Sequence, residues 1–131
     1  MNNLSTAFRR ALSNYANFHG RASRATFWWW VLAVFLVLLV TRIVDGALIA
    51  PMLGFGAFEP SAGQPLSVLV SLGLLLPNVA IGARRLHDIG RTAWWLLIAF
   101  IPLIGTLVLI YFYIQPSESG LNQFGEPDTF P

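Results

Sequence analysis

The sequence predicts an all-α integral membrane protein, with three transmembrane helices preceded by a short amphipathic N-terminal helix. Three observations lead there. Hydrophobic residues make up 56% of the 131 and charged residues only 11%, against roughly a quarter charged in an ordinary soluble domain. Long runs carry no charge at all, which is the pattern of chain facing lipid. The eight basic residues are all arginine and fall mostly in two places, so they also report orientation.

The length suits one domain. A net charge of +2 excludes the broad basic field of a nucleic-acid binder. The absence of cysteine excludes disulfides, thiolate metal sites and cysteine nucleophiles.

From Leu4 to Phe18 the apolar residues Leu4, Phe8, Ala11, Leu12, Tyr15 and Phe18 recur at helical spacing, with Arg9, Arg10, Asn14 and Asn17 off the stripe. Asn2, Asn3 or Ser5 is placed to cap this helix. It either lies in the headgroup plane or folds back onto the protein's own cytoplasmic face.

The first span covers residues 25–44, around the unbroken apolar run Phe27 to Val40, with Trp28, Trp29 and Trp30 at its entrance as interface anchors. Arg42 and Asp45, three apart, are placed to pair at its far end. Residues 45–64 form the outer loop. Within it Gly46 to Phe58 is apolar but too short to span and holds Pro51, Gly54 and Gly56, so it reads as an interfacial or re-entrant piece.

The second span covers residues 65–83. Ser67, Ser71 and Gly73 permit close helix contact, Pro77 predicts a kink, and Asn78 needs an interhelical partner. Residues 84–92 form a cytoplasmic loop. The third span, 93–114, carries no charge; Trp94 and Trp95 anchor one interface, and Pro102 and Gly105 predict a bend. The tail, 115–131, is rich in Gly, Pro, Ser, Asn and acids. Four arginines precede the first span, and Arg84, Arg85 and Arg91 lie between the second and third. The positive-inside rule therefore places the N-terminus and residues 84–92 in the cytoplasm and the tail outside. A cytoplasmic tail, able to lend its acids to the arginines, would require an even number of spans.

Two segments could carry chemistry: Gly20 to Trp28, and Arg84-Arg85-Leu86-His87-Asp88-Ile89-Gly90-Arg91 before Trp94 and Trp95. Asp88 follows Arg84 by four and Arg85 by three, so within a helix it can pair with either, and otherwise with Arg21 or Arg24. Arginines and tryptophans beside a span are ordinarily anchors. The sharper reading is that Arg21, Arg24, Arg84, Arg85 and Arg91, with His87 and Asp88, bind the phosphate of an anionic lipid or a partner membrane protein, since arginine grips phosphate bidentately. Gly90 marks a sharp turn before the third run. The two histidines, His19 and His87, bring no fixed ligand set, so neither a metal nor a cofactor is expected. No nucleophile elbow or paired-carboxylate pattern is present, so no catalytic residue is assigned and the expectation is a non-enzymatic protein. The alternative is a small transporter or channel subunit acting as a homo-oligomer.

These motifs resemble the YhaH/YhaI-type family of small bacterial inner-membrane proteins, a domain of unknown function (DUF805). The resemblance rests on Tyr15, Phe18, Gly20, Arg21, Arg24, Phe27 and Trp28, and on Pro77 with the run Arg84 to Asp88. It continues through Gly90, Arg91, Trp94, Trp95, Pro102 to Gly105, and the tail's Gly120, Asn122, Phe124, Gly125 and Pro127. It implies a bacterial inner-membrane location and carries no catalytic residues. Thr26 stands where members often have an acid, and Thr92-Ala93 where they often have Ser-Gly. Asn122 to Gly125 predicts a defined turn.

Overall fold

The computed structural model describes residues 3–128, and helices account for all regular structure among them. The N-terminal helix, Asn3–Ser13, buries Ala7 and Ala11 and runs antiparallel along the first long helix, with the Phe8 and Trp30 rings 5.6 Å apart. Its cap candidates Asn3 and Ser5 lie inside the helix, and Asn2 lies outside the described residues.

The first long helix begins at Arg24, where Ser23 accepts the Thr26 N–H as an N-cap. It is regular to Val44, passes through a π turn at Asp45–Ile49 and ends at Met52. The segment from Gly46 to Met52 is thus a helical extension rather than the expected loop piece. The second long helix runs Pro65–Asp88, five residues past the predicted boundary, with Pro65 in its first turn. Both helices are long and apolar enough to cross a membrane, at about 1.5 Å per residue.

Asp45 opens the π turn. Its carboxylate accepts the Leu66 and Ser67 N–H groups at 2.9 and 2.7 Å, capping the second helix from across the pair. It turns to this task instead of pairing with Arg42. Ser67 bonds Thr41 beside it at 3.1 Å, and in the other half Trp30 Nε1 donates to Asn78 Oδ1 at 2.7 Å. Trp30 is therefore core and not an interface anchor, being only 1% exposed.

Each proline inside these helices frees a carbonyl, and each freed carbonyl is met. Pro77 has no N–H for Gly73 O, and the Tyr15 hydroxyl donates to it. In the π register Pro51 would have bonded Gly46 O; Phe58 N–H donates there instead, at 2.8 Å.

The third apolar run departs from the expected single span. Ala93–Phe100 is a 3₁₀ helix and Ile104–Tyr113 an α-helix. Between them Leu103 sits at φ 64, ψ −62, and Ile104 N–H bonds Pro102 O at 2.7 Å, a tight γ-turn that reverses the chain. Gly105 packs onto the Ile98 carbonyl, where a Cβ would collide. Arms of eight and ten residues reach only about 15 Å each, half a bilayer core. The bend expected at Pro102 and Gly105 is a hairpin, and its two feet stand together at the arginine end of the helices.

Tyr15→Phe should cost about 1 kcal/mol in the natural background and close to nothing beside Pro77→Ala, which restores the helical donor. A double-mutant cycle on thermal unfolding in detergent checks this; equal costs in both backgrounds would contradict it.

Candidate functional site: the tail-locked arginine cluster

Arg84 to Asp88 form the buried last turns of the second helix, not a loop. A Schellman motif closes the helix: Gly90, at φ 80, donates its N–H to His87 O at 3.0 Å and Arg91 donates to Leu86 O at 2.9 Å. The turn expected at Gly90 is present.

Asp88 lies at the centre. Its Oδ1 accepts Arg21 Nε at 2.9 Å and its Oδ2 accepts Arg85 Nη1 at 2.9 Å, with all three side chains 0% exposed. Ser117 Oγ also donates to Oδ2. Of the partners open to Asp88, it takes Arg21 and Arg85 and leaves Arg84 and Arg24.

Beyond long contacts to Asp88 O and Ala22 O, both 3.4 Å, the remaining guanidinium bonds go to backbone carbonyls of the hairpin foot and tail. Arg21 donates to Gly120 O at 2.6 Å, Glu118 O at 2.6 Å and Gly125 O at 3.2 Å. Arg85 donates to Tyr113 O at 3.1 Å and to Gln115 O. Trp28 Nε1 joins them on Tyr113 O at 3.1 Å, and Arg24 caps the hairpin helix by donating to Ile114 O at 3.0 Å. Glu118 N–H returns a bond to Asp88 O at 2.9 Å. The tail is thus bonded to the same end of the molecule as Arg21.

The other site candidates are placed around this knot. Arg91 stacks over the Phe112 and Trp95 rings at 4.4 and 5.2 Å. His87 has Nδ1 2.9 Å from Gly20 O and its ring stacked on Phe124 at 4.1 Å. Trp29 is half-buried, Trp95 meets Phe112 edge-on, and Trp94 is 78% exposed. The turn expected at Asn122 to Gly125 is closed by bonds in both directions at 3.1 Å.

Arg84 points elsewhere. Its Nη1 donates to Asn14 O and Asn17 O at 3.2 and 2.9 Å. With Arg10, Asn14, Asn17 and His19 it lines a cavity of about 300 Å³. Asp128 closes one side, accepting from Ser23 N–H at 2.9 Å, Arg10 Nη1 at 3.2 Å and the Thr26 hydroxyl. The carboxylate missing at position 26 is thus supplied to Thr26 from the tail.

Sequence reasoning missed the tail carbonyls and Ser117; Asp128 is one of the acids that a tail on the arginine side can lend, and it meets Arg10. A carbonyl acceptor has no residue signature; the only hint was the turn-forming tail beside an arginine-rich end.

A family described as "Protein of unknown function (DUF805)" matches residues 15–126, taking in both long helices, the hairpin and the tail's turn. The chain belongs to this family. Similar members are the inner membrane proteins YhaH and YhaI of Escherichia coli (strain K12). YhaH is 36% identical over 122 residues, covering 92% of this chain and 93% of the relative; YhaI is 36% identical over 119 residues, covering 91% and 92%. No solved structure matches. As a member of this family with two membrane-length apolar helices, the chain is a membrane component.

Asp88→Ala should lower stability by about 3–5 kcal/mol, because two buried guanidinium groups lose their counter-charge. Thermal unfolding or protease resistance in detergent reads this; a loss under about 1 kcal/mol would mean that the tail carbonyls alone suffice.

Proposed function

We propose that this protein is a non-enzymatic component of the bacterial inner membrane that binds an anionic phospholipid headgroup on the cytoplasmic side. Two long helices cross the bilayer, the hairpin enters from the cytoplasm and returns, and both chain ends are cytoplasmic. Two facts support this topology. Seven of the eight arginines flank the Asp88 end of the helices, as the positive-inside rule favours for the cytoplasm. The hairpin foot and the tail are bonded to that same end through Arg21, Arg85 and Trp28.

The observation that carries the binding reading is the division of labour among the arginines. Arg21 and Arg85 turn their donors inward, to Asp88 and the tail. Arg84 engages carbonyls through Nη1 and lines, with Arg10 and His19, a polar cavity of about 300 Å³. A phosphate there receives charge-assisted hydrogen bonds from planar guanidinium groups. The anionic site is therefore narrower than the five-arginine pocket: Arg84 forms its centre, and a phosphate entering there competes with Asp128 for Arg10.

The topology is tested by C-terminal fusions: a fluorescent protein should be bright and alkaline phosphatase inactive, and the reverse would restore three crossings. The binding is tested by titrating detergent-solubilised protein with short-chain phosphatidylglycerol and following tryptophan fluorescence. Arg84→Gln should weaken binding about tenfold or more in protein shown by circular dichroism to stay folded; unchanged affinity would remove the proposal.

A further inference from the structure

The opposite end of the helix pair holds a second charged site. Arg42 is the sole basic residue between Arg24 and Arg84, and it sits on a helix otherwise apolar from Phe27 to Val40. Its nearest acid in sequence, Asp45, is committed to the N-terminus of the second helix. Arg42 joins none of the ion pairs among the described residues. A cation at the end of a membrane helix with its obvious partner diverted calls for another.

Arg42 lines a cavity of about 500 Å³ together with Glu59 and Gln64, within the usual size of ligand sites. A neighbouring cavity of about 220 Å³ adds Ser67 and Ser71 beside the same arginine. Arg42 and Glu59 are opposite charges facing one space, yet they do not close on each other into an ion pair. The return loop, residues 53–64, fixes this arrangement. Phe58, next to Glu59, is held at φ 58, a region costly for a bulky side chain, with its N–H on Gly46 O and its ring against Gly46, where a Cβ would collide. Ser61 Oγ donates to Glu59 Oε1 at 3.2 Å, which leaves the carboxylate able to accept more.

A cation and an anion held apart across one cavity match a guest with the same two charges in reverse. We propose that this groove binds a phosphate ester carrying a primary ammonium, the phosphoethanolamine chemistry, with Arg42 on the phosphate and Glu59 on the ammonium. Arginine meets phosphate oxygens bidentately, and a primary ammonium brings three donors to the carboxylate. A glycerol headgroup would face Glu59 with no positive charge, and a trimethylammonium headgroup has no N–H to donate, so both are disfavoured.

Native mass spectrometry of the full chain in detergent, with phosphatidylethanolamine, phosphatidylglycerol and phosphatidylcholine in competition, tests this. The natural protein should retain phosphatidylethanolamine several-fold over the other two. Arg42→Gln should cut that retention about tenfold. Glu59→Gln, on an exposed loop, should keep phosphate binding and bring the ethanolamine-to-glycerol ratio to about one. Arg84→Gln, at the other end, should leave the preference intact, which separates this site from the cytoplasmic one. Soluble phosphoethanolamine distinguishes the sources: if it competes, the headgroup alone is recognised, and if only the lipid binds, acyl chains complete the site. Binding of neither form, no ethanolamine preference in the natural protein, or a preference that survives Glu59→Gln would overturn the proposal.

Discussion

The Asp88 carboxylate, shared by Arg21 and Arg85, is the contact on which the rest of the architecture depends. Three fully buried charges are tolerable only if they neutralise one another and every donor is met. One carboxylate cannot saturate two guanidinium groups of five donors each. The balance comes from main-chain oxygens at Tyr113, Gln115, Glu118, Gly120 and Gly125. Those oxygens lie at the close of the third apolar run and beyond it, so that run has to return to the end where it began. The hairpin is thus a consequence of the charge arrangement as much as of Pro102.

The same rule governs the apolar part of the molecule. With no water to satisfy an orphan carbonyl, a helix-breaking residue needs a donor from elsewhere. Tyr15 supplies one for Gly73 and Phe58 supplies one for Gly46, while Asp45 supplies the acceptor that the second helix lacks at its start. Each compensation ties two segments that are otherwise separate. The segment between the N-terminal helix and the first long helix is fastened to the second long helix through Tyr15, the return loop to the first, and the first to the second. Irregularities in the backbone therefore act here as the joints of the fold.

Much of this was legible in the residues. The first two long apolar helices, the partner sought by Asn78, the turn at Gly90 and the turn at Asn122 all follow from local chemistry, and the structure contains each. The two arginine segments also meet, as their placement implied. What hydropathy could not convey was direction. An uncharged run of 22 residues has the length of a crossing, and Pro102 with Gly105 signals a bend without giving its angle. A tail without arginine left the positive-inside rule little to weigh at that end. The roles of Tyr113, Glu118 and Gly120 are played by backbone oxygens, which every residue possesses, so no side-chain pattern could single them out. Trp30 was misplaced for a related reason: three tryptophans in a row share one sequence environment, while helical geometry turns one of them into the core.

The long chain separation within the Arg21 contacts has a consequence for biosynthesis. The carbonyls of Gly120 and Gly125 lie 99 and 104 residues after the arginine they satisfy. At roughly 5–20 residues per second, a ribosome delivers them about 5–20 s after Arg21 itself. During that interval both long helices can be made, but Arg21 and Arg85 lack the tail carbonyls that complete their shell. Sealing of this end therefore waits on synthesis of the tail, because the arginines and the oxygens that satisfy them lie so far apart in the chain.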